Sequence, residues 1–153
     1  MDRGRFRHTT QVRVRNYEID WQGVVHNANY LLYCETGRIA YIQDLGVPIT
    51  VDSIQREAKI VIVRNEIDYF APARLGDLLN ILTRVSSIGN SSFAFEGIIE
   101  EASTGRKMAE NVSVHVWLDP TTGRPMRVPD RFRNLVRQFE GQNLRSEGAG
   151  GAS

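Results

Sequence analysis

The chain has a single cysteine, no long apolar run and no excess of charge of either sign. With Cys34 as the only cysteine, an internal disulfide framework is excluded. No run of about 18 apolar residues occurs, so the sequence predicts no membrane-spanning helix. The opening segment, MDRGRFRHTT, lacks the apolar stretch of a secretory signal peptide. Together these absences predict a cytoplasmic protein.

The charge balance and the lack of several short motifs exclude further classes of protein. Nineteen basic residues against eighteen acidic ones give a formal net charge of +1, which predicts no nucleic-acid partner. The sequence contains neither the glycine-rich phosphate loop of nucleotide hydrolases nor the Gly-x-Ser-x-Gly turn of serine hydrolases. Its histidine, cysteine and acidic residues have no metal-ligand spacing, so we expect no metal site.

The length and composition are those of one globular domain. A chain of 153 residues is long enough to bury a sizeable core, and 41% hydrophobic with 24% charged residues is ordinary for a soluble protein. We expect a single domain over residues 1–140, with a short C-terminal helix at about 129–139. The tail 141–153, which ends in EGAGGAS, is predicted to be disordered.

The first half of the chain predicts one strand and one long helix. Alternating apolar and charged residues over 10–18 are typical of a strand with one solvated face. A loop over 20–26 follows, and apolar or small residues then recur at helical spacing from 29 to about 44. The side chain of Asn27 or Asn29 is expected to cap this helix.

Gly37 lies in the middle of the predicted helix, where glycine costs about 1 kcal/mol relative to alanine. We expect close packing of the helix against a sheet backbone to offset this cost. The helix has apolar or aromatic residues on almost all sides, including Tyr30, Leu31 and Ile42. One flat sheet cannot cover them all, so we expect the sheet to wrap around the helix and a second subunit to pack against it.

The second half of the chain predicts about four strands. The run 60–63, within a strand over 59–70, is continuously apolar and is expected to be buried on both faces. Further strands are predicted at 78–86, at about 93–99 and at about 108–118, with turn residues between them. Because short turns join antiparallel neighbours, this order predicts an α+β domain with one helix on an antiparallel sheet.

Asp20 is the main candidate for catalysis. An acid just ahead of a helix N-terminus could act as a general base or a nucleophile towards a carbonyl. The free backbone N–H groups of Asn27 or its neighbours could hold the developing oxyanion, and losing one such donor costs about 3 kcal/mol. From spacing alone, however, an aspartate in a turn or at a helix cap is the more common explanation.

Three other residues with reactive side chains are best explained by structural roles. Glu35 could be a catalytic carboxylate, but an ion pair with Arg38, three residues later on the helix, is the favoured interpretation. Cys34 belongs to the apolar face of the helix and is expected to pack in the core. His115 lies in the middle of a predicted strand and is expected to be structural.

Three segments resemble one known family. Residues 15–30, RNYEIDWQGVVHNANY, followed by Glu35 and Arg38, are similar to the N-terminal signature of the 4-hydroxybenzoyl-CoA thioesterase branch of hotdog-fold enzymes. The segment 69–77, YFAPARLGD, and the segment 122–125, TGRP, resemble later parts of that branch. The three segments occur in the family's order and the resemblance extends from residue 11 to about residue 130.

The resemblance implies a hotdog fold, in which a curved antiparallel sheet of about five strands wraps around one long central helix. It implies homodimers that join their sheets edge to edge, often assembled into homotetramers. It also implies hydrolysis of an acyl-CoA or acyl carrier protein thioester to free acid and thiol. The sites would lie between subunits and use neither a metal nor an organic cofactor.

The resemblance also implies roles for individual residues. Asp20 matches the catalytic aspartate, and the backbone N–H of Asn27 matches the group that polarises the thioester carbonyl. Tyr30 matches an aromatic residue near the acyl pocket, and Gly23 and Val25 are expected to contribute to substrate binding.

His26 occupies a position where the family varies, so it is a further catalytic candidate with an open role. It could polarise the carbonyl or position water, although a histidine in a loop is more often structural. Jointly with Asp20 it would suit an enoyl-CoA hydratase. Hydratases of the related double-hotdog type have four residues between their aspartate and histidine, whereas five lie between Asp20 and His26. Another alternative is a module that binds acyl thioesters without hydrolysing them.

Overall fold

The computed structural model describes residues 1–56 and 59–145. The described chain forms five strands and three α-helices. The strands are β1 (His8–Arg13), β2 (Lys59–Tyr69), β3 (Leu78–Ile88), β4 (Ser92–Glu101) and β5 (Lys107–Leu118). The helices are α1 (Asn27–Asp44), α2 (Val51–Arg56) and α3 (Asp130–Glu140), of which the sequence did not predict α2.

The five strands make one antiparallel sheet in the order β1-β3-β4-β5-β2. Tight turns join β3 to β4 and β4 to β5, as predicted. The connection from β2 to β3 does not join neighbours, because β2 pairs with β5 at the opposite side of the sheet. Helix α1 packs on one face and contacts β1, β3, β4 and β5. The predicted α+β hotdog architecture is therefore confirmed.

The start of α1 differs from the prediction. The helix begins at Asn27, and its N-cap is His26 rather than an asparagine. The Nδ1 atom of His26 accepts a hydrogen bond from the backbone N–H of Ala28 at 3.2 Å. The side chain of Asn29 is used elsewhere, since its Nδ2 donates to the carbonyl oxygen of Glu18 at 2.7 Å.

Gly37 allows α1 to approach β3 closely. A Cβ atom at this position would lie 2.5 Å from Oγ1 of Thr83 and 2.7 Å from Cγ2 of Ile81. The close approach was predicted, but the neighbours are side chains of the sheet rather than its backbone. Both side chains belong to the face of β3 that the alternation predicted to be buried.

The first strand is shorter than predicted, because β1 ends at Arg13 and residues Asn16–Glu18 form a turn of 3-10 helix. The chain leaves the sheet where the backbone N–H of Val14 donates to the carbonyl of Asp77 at 2.9 Å. The turn is then closed by Glu18, whose Oε1 accepts the backbone N–H of Arg15 at 2.7 Å.

The apolar run in β2 was predicted to be buried on both faces, and this is wrong for the single chain. Ile62 is 48% exposed and Val63 is 58% exposed. The reason is the position of β2 at the edge of the sheet, with β5 on one side only. An edge strand with exposed apolar residues offers a surface for pairing with another chain.

The C-terminal part of the described chain packs against the domain. Helix α3 buries Phe132 and Val136 against the cluster around Tyr41, Phe93 and Trp117. Residues Gly141–Asn143, inside the predicted tail, form a turn of 3-10 helix, and the backbone N–H of Arg145 donates to the carbonyl of Ser86 at 2.9 Å. The rest of the predicted tail, 146–153, lies outside the described residues.

Candidate functional site

Asp20 closes the turn that precedes α1. Its Oδ1 accepts the backbone N–H of Gln22 at 2.8 Å and that of Val24 at 3.4 Å. Its backbone N–H donates to the carbonyl of Val24 at 2.8 Å, and its carbonyl accepts the N–H of Gly23 at 3.0 Å. Gly23 has φ +84°, a left-handed conformation that other residues rarely adopt. The second carboxylate oxygen, Oδ2, has no hydrogen-bond partner within 1–56 or 59–145.

The end of this loop is anchored in the core. Val25 is buried, and its backbone N–H donates to the carbonyl of Ala73 at 2.9 Å. Val24 forms an antiparallel bridge with Arg74. The segment 69–77, which carried part of the resemblance, therefore supports the loop. Of the two loop residues assigned to substrate binding, Val25 is a core residue and Gly23 forms the turn.

The N-terminus of α1 keeps one backbone donor free. His26 Nδ1 accepts the N–H of Ala28, and the carbonyl of His26 accepts the N–H of Asn29 at 2.9 Å. The backbone N–H of Asn27 has no acceptor among the described residues. Free N–H groups and the helix dipole make such a terminus favourable for negative charge.

Two hydrogen bonds to one carbonyl hold Asp20 and α1 together. The carbonyl of Glu18 accepts the backbone N–H of His26 at 3.0 Å and Nδ2 of Asn29 at 2.7 Å. Tyr69 adds a third contact, because its hydroxyl donates to the carbonyl of Asn27 at 3.1 Å. These contributions of Glu18, Asn29 and Tyr69 were not predicted. All three residues lie in the segments that resemble the family, and that resemblance is the sequence signal that could have identified them.

Tyr30 is buried beneath the site. Its hydroxyl accepts the backbone N–H of Ala73 at 2.9 Å, and its ring packs edge-on against the rings of Tyr33 and Tyr69. Burial raises the pKa of Tyr30, so the phenol stays protonated in the neutral range. Trp21, at the tip of the loop, is 94% exposed. The aromatic residues of the site thus divide into a buried set beneath the loop and one exposed ring at its tip.

Glu35 and Arg38 do not form the expected ion pair. Arg38 turns towards the sheet, where its Nη1 donates to Oδ1 of Asn111 at 3.3 Å, whereas Glu35 is exposed. Residues three apart on a helix can interact only when both side chains lie along its surface. Here burial of the guanidinium against β5 separates the two.

Cys34 is buried in the core, as predicted, and His115 is buried as well. Burial raises the pKa of Cys34 to about 11, so the thiol is protonated and unreactive in the neutral range. His115 stacks on Phe93 with 5.4 Å between ring centroids. Burial, and then the charge of Arg38, lower the pKa of His115 to about 4, so its ring is neutral.

A cavity of about 490 Å³ lies between the second half of α1, the segment 47–53 that follows it, the strands β2, β4 and β5, and the start of α3. Its wall is mostly apolar and aromatic, and it includes Glu35, Arg38 and His115. No sequence pattern indicated this cavity, because its residues come from six separate helices and strands and from the connection 47–49.

Two further classes of site are absent from the part of the chain that the structure describes. No group of three or more histidine, cysteine or acidic side chains there could hold a metal ion. No described helix is both long and apolar enough to cross a membrane.

Comparisons with known proteins identify the family. Residues 14–136 match the model of the thioesterase-like superfamily. The chain is 33% identical over 138 residues to an acyl-acyl carrier protein thioesterase of Arabidopsis thaliana, ATL2, chloroplastic, covering 90% of this chain and 72% of that protein. It is 30% identical over 130 residues to the acyl-CoA thioester hydrolase YbgC of Escherichia coli O157:H7, covering 84% of this chain and 92% of that protein.

Among solved structures, a thioesterase from Thermus thermophilus, complexed with coenzyme A and Zn, is 33% identical with a TM-score of 0.77. The match covers 90% of this chain and 96% of that one. Slr0204 from Synechocystis, a 1,4-dihydroxy-2-naphthoyl-CoA thioesterase, shares the fold, with a TM-score of 0.79 at 19% identity over 87% of this chain and 97% of that one. The family inferred from three sequence segments is confirmed, and the chain belongs to the thioesterase-like superfamily.

Proposed function

We propose that the protein hydrolyses acyl thioesters of coenzyme A or acyl carrier protein to a free acid and a thiol. The family membership and the names of the relatives support this reaction class. The observation that carries the proposal is the pairing of two groups at one place. The Asp20 carboxylate has a free Oδ2 atom, and the N-terminus of α1, which is tied to the same loop through the carbonyl of Glu18, has a free N–H on Asn27 among the described residues.

The two groups match the two requirements of acyl transfer, which are a donor that stabilises the oxyanion and a group that attacks the carbonyl carbon or activates the attacking water. The thioester oxygen gains negative charge as the carbonyl carbon is attacked, and the Asn27 N–H would donate to it. One preorganised donor of this kind contributes about 3 kcal/mol to transition-state stabilisation. The dipole of α1 adds to the same effect because its positive end faces the oxygen.

Asp20 would act in one of two ways, as a nucleophile or as a general base. As a nucleophile, its carboxylate oxygen attacks the carbonyl carbon and the C–S bond breaks. The thiolate leaves, and water then cleaves the resulting anhydride. As a general base, Asp20 takes a proton from water while that water attacks the same carbon. In both cases the products are the acid and the thiol.

His26 would position rather than react. Its Nδ1 is engaged with the N–H of Ala28, and it makes no hydrogen bond to Asp20 within the described chain. By capping Ala28, His26 leaves the preceding donor, Asn27, available for the substrate. The lack of a bond between His26 and Asp20 gives no support to a hydratase, in which both would activate one water molecule.

The roles of the remaining predicted residues follow from their contacts. Tyr30 would shape the floor of the acyl pocket at the start of α1. Its position there is fixed because its hydroxyl accepts the backbone N–H of Ala73. Gly23 and Val25 would hold the loop, Gly23 through its left-handed conformation and Val25 through its burial.

We also propose that a second copy of the chain packs along β2. The strand lies at the edge of the sheet with Ile62 and Val63 exposed, and the neighbouring side of α1 exposes Leu32 and Ile39. Pairing of two β2 strands would bury these residues and extend the sheet. A homodimer is the smallest assembly that achieves this. The homotetramer and the cytoplasmic location expected from the sequence stay predictions.

The experiment that tests the proposal is substitution of Asp20, with release of free thiol measured over short, long and aromatic acyl-CoAs and an acyl carrier protein thioester. Asp20→Asn keeps an oxygen that can accept the N–H groups of Gln22 and Val24, so the turn should be preserved. We expect kcat to fall by at least about 100-fold, in line with the loss of a catalytic acid or base.

A matched control is Asp119→Asn. Asp119 closes a turn in the same way, with its Oδ1 accepting the N–H groups of Thr121 at 2.7 Å and Thr122 at 3.0 Å, but it follows β5 rather than preceding α1. This variant should keep wild-type turnover. Wild-type turnover in Asp20→Asn would contradict the assignment. Tight coenzyme A binding by the unaltered protein without thiol release would instead identify a module that binds but does not hydrolyse.

A further inference from the structure

Arg38 is a buried cation whose charge is only weakly balanced by neighbouring groups. Its side chain is on α1, the residue is 6% exposed, and its single hydrogen bond among the described residues goes to Oδ1 of Asn111 at 3.3 Å. Glu35 acts on it electrostatically from an exposed position, and no carboxylate of the described chain forms an ion pair with it. Buried charges in proteins are ordinarily paired with an opposite charge.

His115 lies in the wall of the same cavity, 5% exposed. Its Nε2 is 2.9 Å from Oγ of Ser113, which is fully buried and has no other hydrogen-bond partner for its side chain in 1–56 or 59–145. Because the Ser113 hydroxyl has no other acceptor in the described chain, we assign it as the donor to Nε2, an assignment that places the proton of the neutral ring on Nδ1. Nδ1 makes no hydrogen bond within the described chain, so it can donate to a bound molecule.

Arg38 and His115 lie towards one end of the cavity, and the side chains towards the other end are mostly apolar or aromatic, with the exposed Arg131 beside them. The starts of α1 and β5 share one core cluster, which includes Tyr30 and Met108, and their ends share another, which includes Tyr41 and Trp117. The two elements therefore run in the same direction, and Arg38 and His115 come before Ile42 and Trp117 along them. Phe132 of α3 lines the cavity beside Trp117, with 5.4 Å between their ring centroids. The volume of about 490 Å³ lies within the range of known ligand sites, roughly 300–1,000 Å³.

We propose that this cavity binds a hydrophobic carboxylic acid, with its carboxylate on Arg38 and His115 and its chain against Ile42, Trp117 and Phe132. The guanidinium and the imidazole N–H supply donors that match a carboxylate. The aromatic end supplies the apolar surface that an alkyl chain requires. A neutral or purely apolar ligand would leave the buried Arg38 with only the exposed Glu35 of the cavity wall acting on its charge.

The site is distinct from the place of the thioester carbonyl. Arg38 follows Asn27 by eleven residues, which is about 16 Å along the helix axis. An acyl chain running from Asn27 into the cavity would pass its methylene groups over the buried cation. A free acid entering carboxylate-first avoids this mismatch. Ile39 and Ile62 lie on the open side of the cavity, which the proposed second subunit would cover.

The proposal rests on the proposed function only in one respect, which is that hydrolysis would release acids of this class. Binding can therefore be tested apart from turnover, and Asp20→Asn should bind the acid like the unaltered protein. Loss of turnover and loss of binding are then separate results.

The test uses the fluorescence of Trp117. The chain has two tryptophans, and Trp21 is almost fully exposed, so Trp21→Phe leaves Trp117 in the cavity wall as the single reporter. Sodium dodecanoate, titrated below its micellar concentration, should produce a saturable change in emission. Dodecanol, which has the same chain without the charge, should bind at least tenfold more weakly.

Two substitutions locate the carboxylate. Arg38→Met should weaken dodecanoate binding at least tenfold. Arg131→Gln removes an exposed arginine from the same cavity wall and should change the affinity by less than twofold. If Arg38→Met does not fold, the comparison of dodecanoate with dodecanol in the Trp21→Phe protein decides the question. The proposal is overturned by equal affinities for the two ligands, by the absence of saturable binding, or by a loss of affinity in Arg131→Gln alone.

Discussion

The hydroxyl of Tyr30 accepts the backbone N–H of Ala73 at 2.9 Å, and both residues are buried. This bond joins the first turn of α1 to the segment that supports the Asp20 loop. Because the carbonyl of Ala73 also accepts the N–H of Val25, one residue connects the helix, the loop and the segment 69–77. The position of Asn27 relative to Asp20 depends on that connection.

Tyr30→Phe should therefore destabilise the protein. The substitution removes the acceptor and leaves the N–H of Ala73 buried without a partner, which costs about 1–3 kcal/mol. Urea denaturation followed by circular dichroism measures the change. Tyr69→Phe is a suitable control, because its hydroxyl bonds to a carbonyl at an exposed position and should cost less. Equal stability of Tyr30→Phe and wild type would show that the bond contributes nothing.

Asn29→Ala should lower kcat more than it lowers stability. The Asn29 side chain ties α1 to the carbonyl of Glu18, two residues before Asp20. Without it the free N–H of Asn27 is less well fixed relative to Asp20, and misplacement of about 1 Å can cost 100-fold in rate. We expect a roughly 10- to 100-fold fall in kcat from the same effect, with the melting temperature little changed. A parallel fall of melting temperature and rate would indicate a purely structural role.

Gly37→Ala should destabilise the protein by about 1–3 kcal/mol through overpacking. The new Cβ would meet Oγ1 of Thr83 at 2.5 Å and Cγ2 of Ile81 at 2.7 Å. Chemical denaturation of wild type, Gly37→Ala, Thr83→Ala and the double variant forms a double-mutant cycle. The second substitution removes one of the two close contacts, so the pair should be less destabilised than the sum of the single changes. Simple additivity would mean that Thr83 is not the limiting contact.

The stability of the protein should fall in acid because of His115. Burial lowers its folded pKa to about 4 from the ordinary value of 6.5, so between these values the unfolded chain binds more protons. The contribution of neutral His115 to the free energy of unfolding is fully present above pH 6.5 and is lost as the pH falls to about 4. The change amounts to about 3 kcal/mol.

Urea denaturation at several pH values from neutral down to the folded pKa of His115 measures this dependence. His115→Gln, which does not titrate, should show a shallower slope over the same interval. His26→Gln is the control, because His26 is exposed and its replacement should leave the slope from His115 in place. Equal slopes for wild type and His115→Gln would contradict the prediction.

Val63→Lys should weaken self-association. Val63 is exposed on the edge strand β2, and a lysine there would place charge in the proposed interface between two copies. Sedimentation velocity should show a shift towards monomer, together with loss of thioesterase activity if the site requires both subunits. Val51→Lys changes an exposed apolar residue of α2, and its assembly should be unchanged. An unaltered dimer in Val63→Lys would exclude β2 as the interface.

Much of the fold could be predicted from local patterns. The helical spacing from Tyr30 to Tyr41 and the alternation in β3 depend only on neighbouring residues, and both elements are present at nearly the predicted bounds. The burial of β2 could not be predicted in this way. An apolar run indicates a strand but does not say whether that strand is at the centre or the edge of a sheet.

The candidate site likewise has features that the sequence predicted and features that it did not. The order of Asp20, Asn27 and the helix start was visible in the sequence, as was the resemblance that assigned them roles. The capping atom was not, because His26 and the two asparagines are all polar residues at one helix start. Which of them accepts a hydrogen bond depends on the carbonyl of Glu18, which attracts the side chain of Asn29.

The sequence by itself determined α1 and most of the strands, the family and the acid in front of the helix, since each is encoded by residues close together in the chain. Only the tertiary structure decided that β2 lies at an edge, that Arg38 turns away from Glu35, and that a cavity forms between α1 and the sheet. These features arise where distant segments meet, and the packing energy that selects them depends on all the segments at once. The buried, weakly compensated charge of Arg38 is therefore a property of the fold rather than of the helix that carries it.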